Sequence, residues 1–212
     1  MARTPATGTS TRERLILAAE ELFATQGVHG AQLRDIVRLA GQANPSAVQY
    51  HFGSREGLRH ALMAERQQRV EAVLARLQPD PTGRTLGELV GALVGAEATE
   101  LGTLRGRRCL QISAQVSHRS GIRTREPHPN LVDTGYWRLI RELERPLAAL
   151  PEPVRLERID LALTLIGAAL GERARRLTDG EDPLTDDEFF VADLTAMSTA
   201  LLTAPCPAHA QP

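Results

Sequence analysis

The sequence predicts an all-α chain, and three observations carry that reading. Apolar residues recur at three- and four-residue spacing in one segment after another, as they do on one face of an α-helix. No run alternates with the period of two that a half-buried strand requires. Capping and breaking residues (Ser, Thr, Asn, Gly and Pro) fall between the periodic segments. The expected organisation is an N-terminal three-helix domain with a helix-turn-helix over residues 1–60, followed by a larger helical domain over residues 61–212 of the 212-residue chain.

Met1 to Thr9 forms a Pro/Thr/Gly-rich arm. Ser10 and Glu13 have capping-box spacing, and Leu15, Ala18, Ala19, Leu22 and Phe23 then make an apolar stripe that Gly27 ends. Leu33, Ile36, Val37 and Ala40 mark the next helix, with Gly41 placed for a left-handed C-terminal residue. Asn44 is expected to cap a second short helix, with Pro45 in its first position, where no N–H is missed. In that helix Ala47, Val48 and Phe52 can face inward, which leaves Pro45, Ser46, Gln49 and Tyr50 outside. Helix, tight turn and helix with adaptable hydrogen-bonding side chains is the arrangement that enters a DNA major groove. Gln suits adenine there, and Ser suits either base type.

Ser54 can cap a long helix from Arg55 to about Leu77, with Leu58, Leu62, Val70, Val73 and Leu77 as apolar stations. Pro79-Asp80-Pro81 breaks it, and further helices are expected at about 85–101, 107–118, 130–150, 154–177 and 185–203. Arg105-Gly106 is read as part of the break before the 107–118 helix, and Thr185 with Glu188 as a capping box for the last helix.

The formal net charge of −1 excludes a general basic nucleic-acid coat. The balance is local: up to His60, Arg3, Arg12, Arg14, Arg34, Arg38, Arg55 and Arg59 outnumber Glu13, Glu20, Glu21, Asp35 and Glu56. Such an asymmetry suits an electrostatic footprint at one end. All 25 basic residues are arginine, a bias of source rather than of function. Cys109 and Cys206 stand far apart and imply no disulfide framework. No signal peptide and no apolar run of the ~18 residues needed for a membrane span is present, so a cytoplasmic protein without membrane contact is expected.

The run ERLILAAEELFATQGVHGAQLRDIVRLAG followed by NPSAVQYHFGSREGL resembles the N-terminal domain of the TetR family of transcriptional regulators. The residues that carry the resemblance are Leu22-Phe23 with Gly27, Arg34-Asp35-Ile36, Ala40-Gly41, Tyr50-His51-Phe52 and Ser54-Arg55. Two departures stand out: the turn Gly41-Gln42-Ala43-Asn44 is one residue longer than usual, and Ala31-Gln32 replaces the usual capping threonine or serine. The resemblance implies groove-facing positions for Pro45, Ser46, Gln49, Tyr50 and His51, and phosphate contacts from Arg55 and Arg34. It also implies that the C-terminal domain binds a ligand and dimerises through its last two helices.

The residues beyond the motif fit that expectation without requiring it. Ile159 to Leu170 is apolar almost all round, and the last helix carries Phe190, Leu194, Met197 and Leu201, so two such helices from each of two chains would make a four-helix bundle. The expected interface comprises Ile159, Leu163, Ile166, Leu170, Phe190, Leu194, Met197 and Leu201, with an intrachain core as the alternative. Glu97 falls on an apolar stripe and needs either a ligand or a salt bridge, for which Arg105, Arg107 and Arg108 are the candidates. Gln111, Gln115 and His118 share one helix face, and Tyr136 and Trp137 come from the next helix, together offering the polar and aromatic groups of a small-molecule pocket or a plain solvated face. No metal-ligand spacing, calcium loop, phosphate loop or nucleophile elbow appears, so no metal, cofactor or catalytic residue is assigned.

The sequence therefore leads to a dimeric repressor, not an enzyme, released from a palindromic double-stranded DNA operator by a small-molecule effector. The alternatives are the same fold acting without an effector, as an activator, a constitutive regulator or one controlled by a protein partner, and a helical enzyme or scaffold.

Overall fold

The computed structural model describes residues 9–44, 46–78, 80–116 and 121–206. All regular structure among them is helical, and the chain divides into two units, Met1–Met63 and Ala64–Pro212.

The first unit contains α1 (Thr11–Gln26), α2 (Leu33–Leu39), α3 (Ala47–Phe52) and the start of α4 (Arg55–Leu77), which continues into the second. Ser10 Oγ accepts from Glu13 N–H and caps α1. The inward face of α1 places Leu15, Ile16, Ala19 and Phe23 out of solvent with Ile36, Leu58 and Leu62. Burying each such side chain contributes roughly 1.5–3 kcal/mol, so this small core is enough to back two short helices. Ser54 Oγ accepts from Gly57 N–H at 2.9 Å and starts α4 as expected.

The second unit holds the rest of α4 with α5 (Leu86–Ala98), α6 (Leu104–Val116), α7 (Gly135–Glu142), α8 (Glu152–Asp179) and α9 (Asp187–Thr203). Its innermost helix is α5, which buries Leu86, Leu89, Val90, Ala92, Leu93, Val94 and Ala96 on nearly every side. Thr85 and Glu88 form a full capping box at its start, and its last turn tightens into a 3-10 turn at Thr99–Gly102. Helix α8 lies between α6 and α9, burying one face through Leu156, Ile159, Ala162, Ile166 and Leu170. Where α8 meets α6, a Cβ on Gly171 would stand 2.5 Å from the Ala114 Cβ, so glycine lets the two backbones approach.

Four boundaries differ from the sequence expectation. Arg105-Gly106 lies inside α6: Thr103 Oγ accepts from Gly106 N–H at 2.9 Å and caps the helix earlier. The expected 130–150 helix shortens to Gly135–Glu142. Asp133 has a positive φ of 59° before it, and Pro146 removes a donor after it, leaving i→i+3 bonds such as Leu147 N–H to Glu144 C=O. The α9 cap is Asp186, accepting from Phe189 N–H at 2.7 Å, instead of Thr185. Helix α3 begins at Ala47, and Asn44 Oδ1 accepts from Ser46 N–H at 2.9 Å one step earlier, as an Asx turn leading in.

Candidate nucleic-acid interface and buried polar cluster

The turn between α2 and α3 is closed by two bonds, Gln42 N–H to Val37 C=O and Gly41 N–H to Arg38 C=O, each 3.0 Å. That pair is a Schellman end, and it requires the left-handed Gly41, whose φ is 66°. Gln32 precedes α2 without a side-chain cap bond, in keeping with the missing threonine or serine. Beyond the turn, Ala47 and Val48 are buried while Ser46, Gln49 and Tyr50 are exposed, Tyr50 to 85%. His51 is half-buried, its ring edge-on to Tyr50 at 4.9 Å. Pro45 lies outside the described residues.

Arg34 and Arg38 are four residues apart on α2, with side chains 84% and 82% exposed. Asp35 beside them pairs with Arg38 at 3.0 Å. Arg38 is absent from the sequence candidates, although its spacing from Arg34 puts both on one helix face. Arg55 turns inward: its Nη2 donates to Val28 C=O at 2.5 Å, and its guanidinium lies 5.3 Å from the Phe23 ring centre.

In the second unit, Glu97 is buried, and its partner is none of the three arginines expected. Arg66 of α4, itself 4% exposed, donates Nη2 to Glu97, while Arg105 pairs with Glu65 at 2.8 Å. The Tyr136 phenol belongs to the same cluster, close enough to Glu97 and Arg66 for their charges to act on it. Burial, then the Glu97 charge, hold that phenol well above its ordinary pKa, against the opposing pull of Arg66. Burial alone would lower the Arg66 pKa, but Glu97 first, with Tyr136 and Glu100, raises it. Arg69 binds Glu100 through Nε at 2.9 Å and Nη2 at 2.6 Å and reaches Cys109 Sγ at 3.5 Å. Glu71 accepts from Gly135 N–H and Tyr136 N–H at 2.9 and 2.8 Å, closing the N-terminus of α7. Arg66 Nε has no hydrogen-bond partner among the described residues. Sequence reasoning alone passes over Arg66, although it lies at helical spacing from Leu62 and Val70 on the apolar stripe of α4.

The other ligand candidates separate. Trp137 is buried beside Tyr136 in α7, its N–H capped by Thr134 Oγ at 3.1 Å. Gln111 instead donates to Thr178 of α8 at 3.2 Å, Gln115 is exposed and bonds back to Gln111 C=O, and His118 lies outside the described residues. Among the described residues no group of His, Cys, Asp and Glu could hold a metal ion, and no helix is long and apolar enough to cross a membrane.

The expected interface residues differ in how far their own chain already covers them. Ile159, Ile166, Leu170 and Leu194 are already buried within one chain, so they belong to its own core. Leu163, Phe190 and Leu201 are partly covered, Phe190 by the Arg173 guanidinium at 4.4 Å. Only Met197 of the set is clearly exposed, at 47%, and it shares the outer faces of α8 and α9 with Leu161 at 52% and Phe189 at 56%. The heptad-like stripe marks which residues pack, but an all-round apolar helix does not reveal which face its own chain covers.

A short groove-sized helix with a polar outer face, held by a tight turn on a buttressing helix, defines a helix-turn-helix protein. Residues 15–62 match the family model of bacterial regulatory proteins, TetR family. The matched stretch lies within the first unit and carries its helix-turn-helix. Over 69 residues it is 43% identical to the HTH-type transcriptional regulator SrpR of Pseudomonas putida, a match spanning 32% of each chain. It is equally identical over 69 residues to the HTH-type transcriptional regulator TtgW, also of Pseudomonas putida, spanning 32% of this chain and 51% of that one. These matches thus extend over a third and a half of the relatives' lengths. The fold as a whole is shared with a TetR-like transcriptional regulator of Rhodococcus sp. RHA1, at 20% identity and a TM-score of 0.55, covering 96% of this chain and 100% of that one. A Shewanella sp. PV-4 protein described as a TetR-family transcription regulator has 21% identity and a TM-score of 0.58, covering 91% and 96%.

Proposed function

We propose that the chain is a cytoplasmic, homodimeric transcriptional repressor that binds a near-palindromic operator through α3 and releases it when a small molecule binds the second unit. The observation that carries this reading is the face formed by Ser46, Gln49 and Tyr50, exposed on a short helix whose opposite side, Ala47 and Val48, is buried. In a major groove Gln49 would pair with an adenine edge, and Arg34 and Arg38 would reach phosphates on either side.

The second copy is supported by the outer faces of α8 and α9, where Leu161, Phe189 and Met197 are exposed among the small residues Ala168, Ala192, Ala196 and Ala200. Packing two such pairs together would form a four-helix bundle and bring two readers to one duplex. The effector reading is supported by the Arg66 cluster. A buried donor without a partner costs roughly 1–3 kcal/mol, which a ligand acceptor at Arg66 Nε would recover. Arg66, Arg69 and Glu71 all stand on α4, so a ligand that redirects Arg66 would act on the helix that runs into the DNA-reading unit. A coupling of about 1–3 kcal/mol between the sites would suffice, and it would be reciprocal.

The test is selection of bound duplexes from a random library by the full-length protein. The expected result is a two-fold symmetric sequence with half-sites about one helical turn or a multiple of it apart. Failure to enrich any sequence would overturn the proposal.

A further inference from the structure

The chain from Val28 to Arg55 leaves α1, passes through the whole helix-turn-helix and returns at the start of α4. Its two ends are joined by a single side chain. Arg55 Nη2 donates to Val28 C=O at 2.5 Å, and the same guanidinium lies over the ring of Phe23, which is fully buried in α1. A second arginine acts at the other side of the same corner: the Arg12 guanidinium, in the first turn of α1, lies 5.3 Å from the ring centre of Phe52, the last residue of α3.

Helix α3 is only six residues long, too short to hold its own direction by helical cooperativity. Its start hangs on the Gly41 turn, so its end must be fixed by whatever surrounds Phe52 and Arg55. Both of those fixtures are cationic groups on aromatic faces, contacts that a guanidinium makes with its plane and that an ammonium does not reproduce with the same fork of donors.

Resting on the DNA-binding reading above, we propose that Arg55 and Arg12 are positioning residues that set the angle at which α3 presents Gln49 and Tyr50, and that Arg55 spends its guanidinium inside the unit instead of on a phosphate. Phosphate contact from this unit then falls to Arg34 and Arg38, whose side chains are exposed. The two roles differ in what they do to DNA binding. A phosphate ligand contributes equally to every sequence and to the salt dependence. A positioning residue contributes to the selected sequence, since base contacts require alignment, and leaves the counterion balance alone.

The experiment uses the full-length protein, wild type and the variants Arg55→Met, Arg55→Lys and Arg12→Met. Each is titrated against the duplex selected by the wild type and against a scrambled duplex over a range of salt. Circular dichroism and thermal melting confirm that each variant is folded. Arg55→Met is expected to lower the ratio of specific to non-specific affinity by roughly tenfold, the loss of one well-aligned base contact, with the salt slope on scrambled DNA unchanged. Arg55→Lys, which keeps the charge but not the fork, should restore little of that ratio, and Arg12→Met should reproduce the effect from the other contact. A uniform loss on both duplexes with the slope reduced by about one would overturn the proposal and make Arg55 a phosphate ligand. An unchanged ratio and slope would overturn it as well. Should Arg55→Met not fold, Arg12→Met decides by the same ratio. If the wild type selected no sequence, the DNA-binding reading itself would fail, a result distinct from any outcome among the variants.

Discussion

Arg66 of α4 and Glu97 of α5 form an ion pair that is almost wholly closed to solvent, with the Tyr136 phenol within reach of both charges. A buried pair of this kind is costly to break from one side, because the remaining charge has no water to return to. Glu97→Gln should therefore destabilise the second unit by on the order of 3–5 kcal/mol in urea unfolding, while replacing both partners with apolar residues of similar size should recover much of the loss. A double variant no more stable than the single one would show that the pair is not the unit of interaction.

Tyr136 gives the cluster a pH signature. Its folded pKa is raised, so its contribution to stability is fully present below the unfolded phenol value of about 10 and is lost as pH rises through the folded value. The chain has no lysine, so few other groups titrate in that window. Stability should fall above about pH 10, and Tyr136→Phe should flatten that limb in denaturant titrations. The same alkaline slope in wild type and variant would contradict the assignment.

Leu194 and Met197 lie three residues apart on α9 but differ in how far their own chain covers them. Leu194 is fully buried in its own chain, so Leu194→Glu should cost several kcal/mol and unfold the second unit. Met197 is 47% exposed, so Met197→Glu should leave the melting of the monomer fold intact and shift sedimentation from dimer to monomer. A folded, dimeric Met197→Glu protein would place the interface elsewhere.

Much of the architecture is legible in the sequence because it is written in local chemistry. The Ser10 and Ser54 caps, the Gly41 stop and the apolar spacing of α1 and α4 each depend on residues within one or two turns. What is not legible depends on distant partners. Arg66 reads as one more charge on a charged helix until α5 brings Glu97 to it. Arg55 reads as an exposed base at a helix start until the carbonyl of Val28, far back in the chain, is placed beside it. The inward and outward faces of α8 carry the same residue types, Ile159 and Leu170 against Leu161, so composition cannot sort core from surface.

The contact between α6 and α8 offers a separate check on the packing. A methyl group at Gly171 would meet the Ala114 Cβ at 2.5 Å and the Leu110 carbonyl oxygen at 3.4 Å, and backbone rather than a flexible side chain would have to yield. Gly171→Ala should cost about 1–3 kcal/mol despite its better helix propensity. A variant more stable than wild type in thermal unfolding would mean that these helices lie further apart.

The central claim, that α3 reads base edges, is tested most directly by comparing the sequences selected by wild-type protein and by Gln49→Ala from one random duplex library. Gln49 is exposed on that helix, on the side away from Ala47 and Val48. The variant should fold normally and lose preference at one base pair in each half-site, symmetrically, by about 1–3 kcal/mol, with the remaining positions unchanged. Identical selected sequences for the two proteins would contradict base reading by α3.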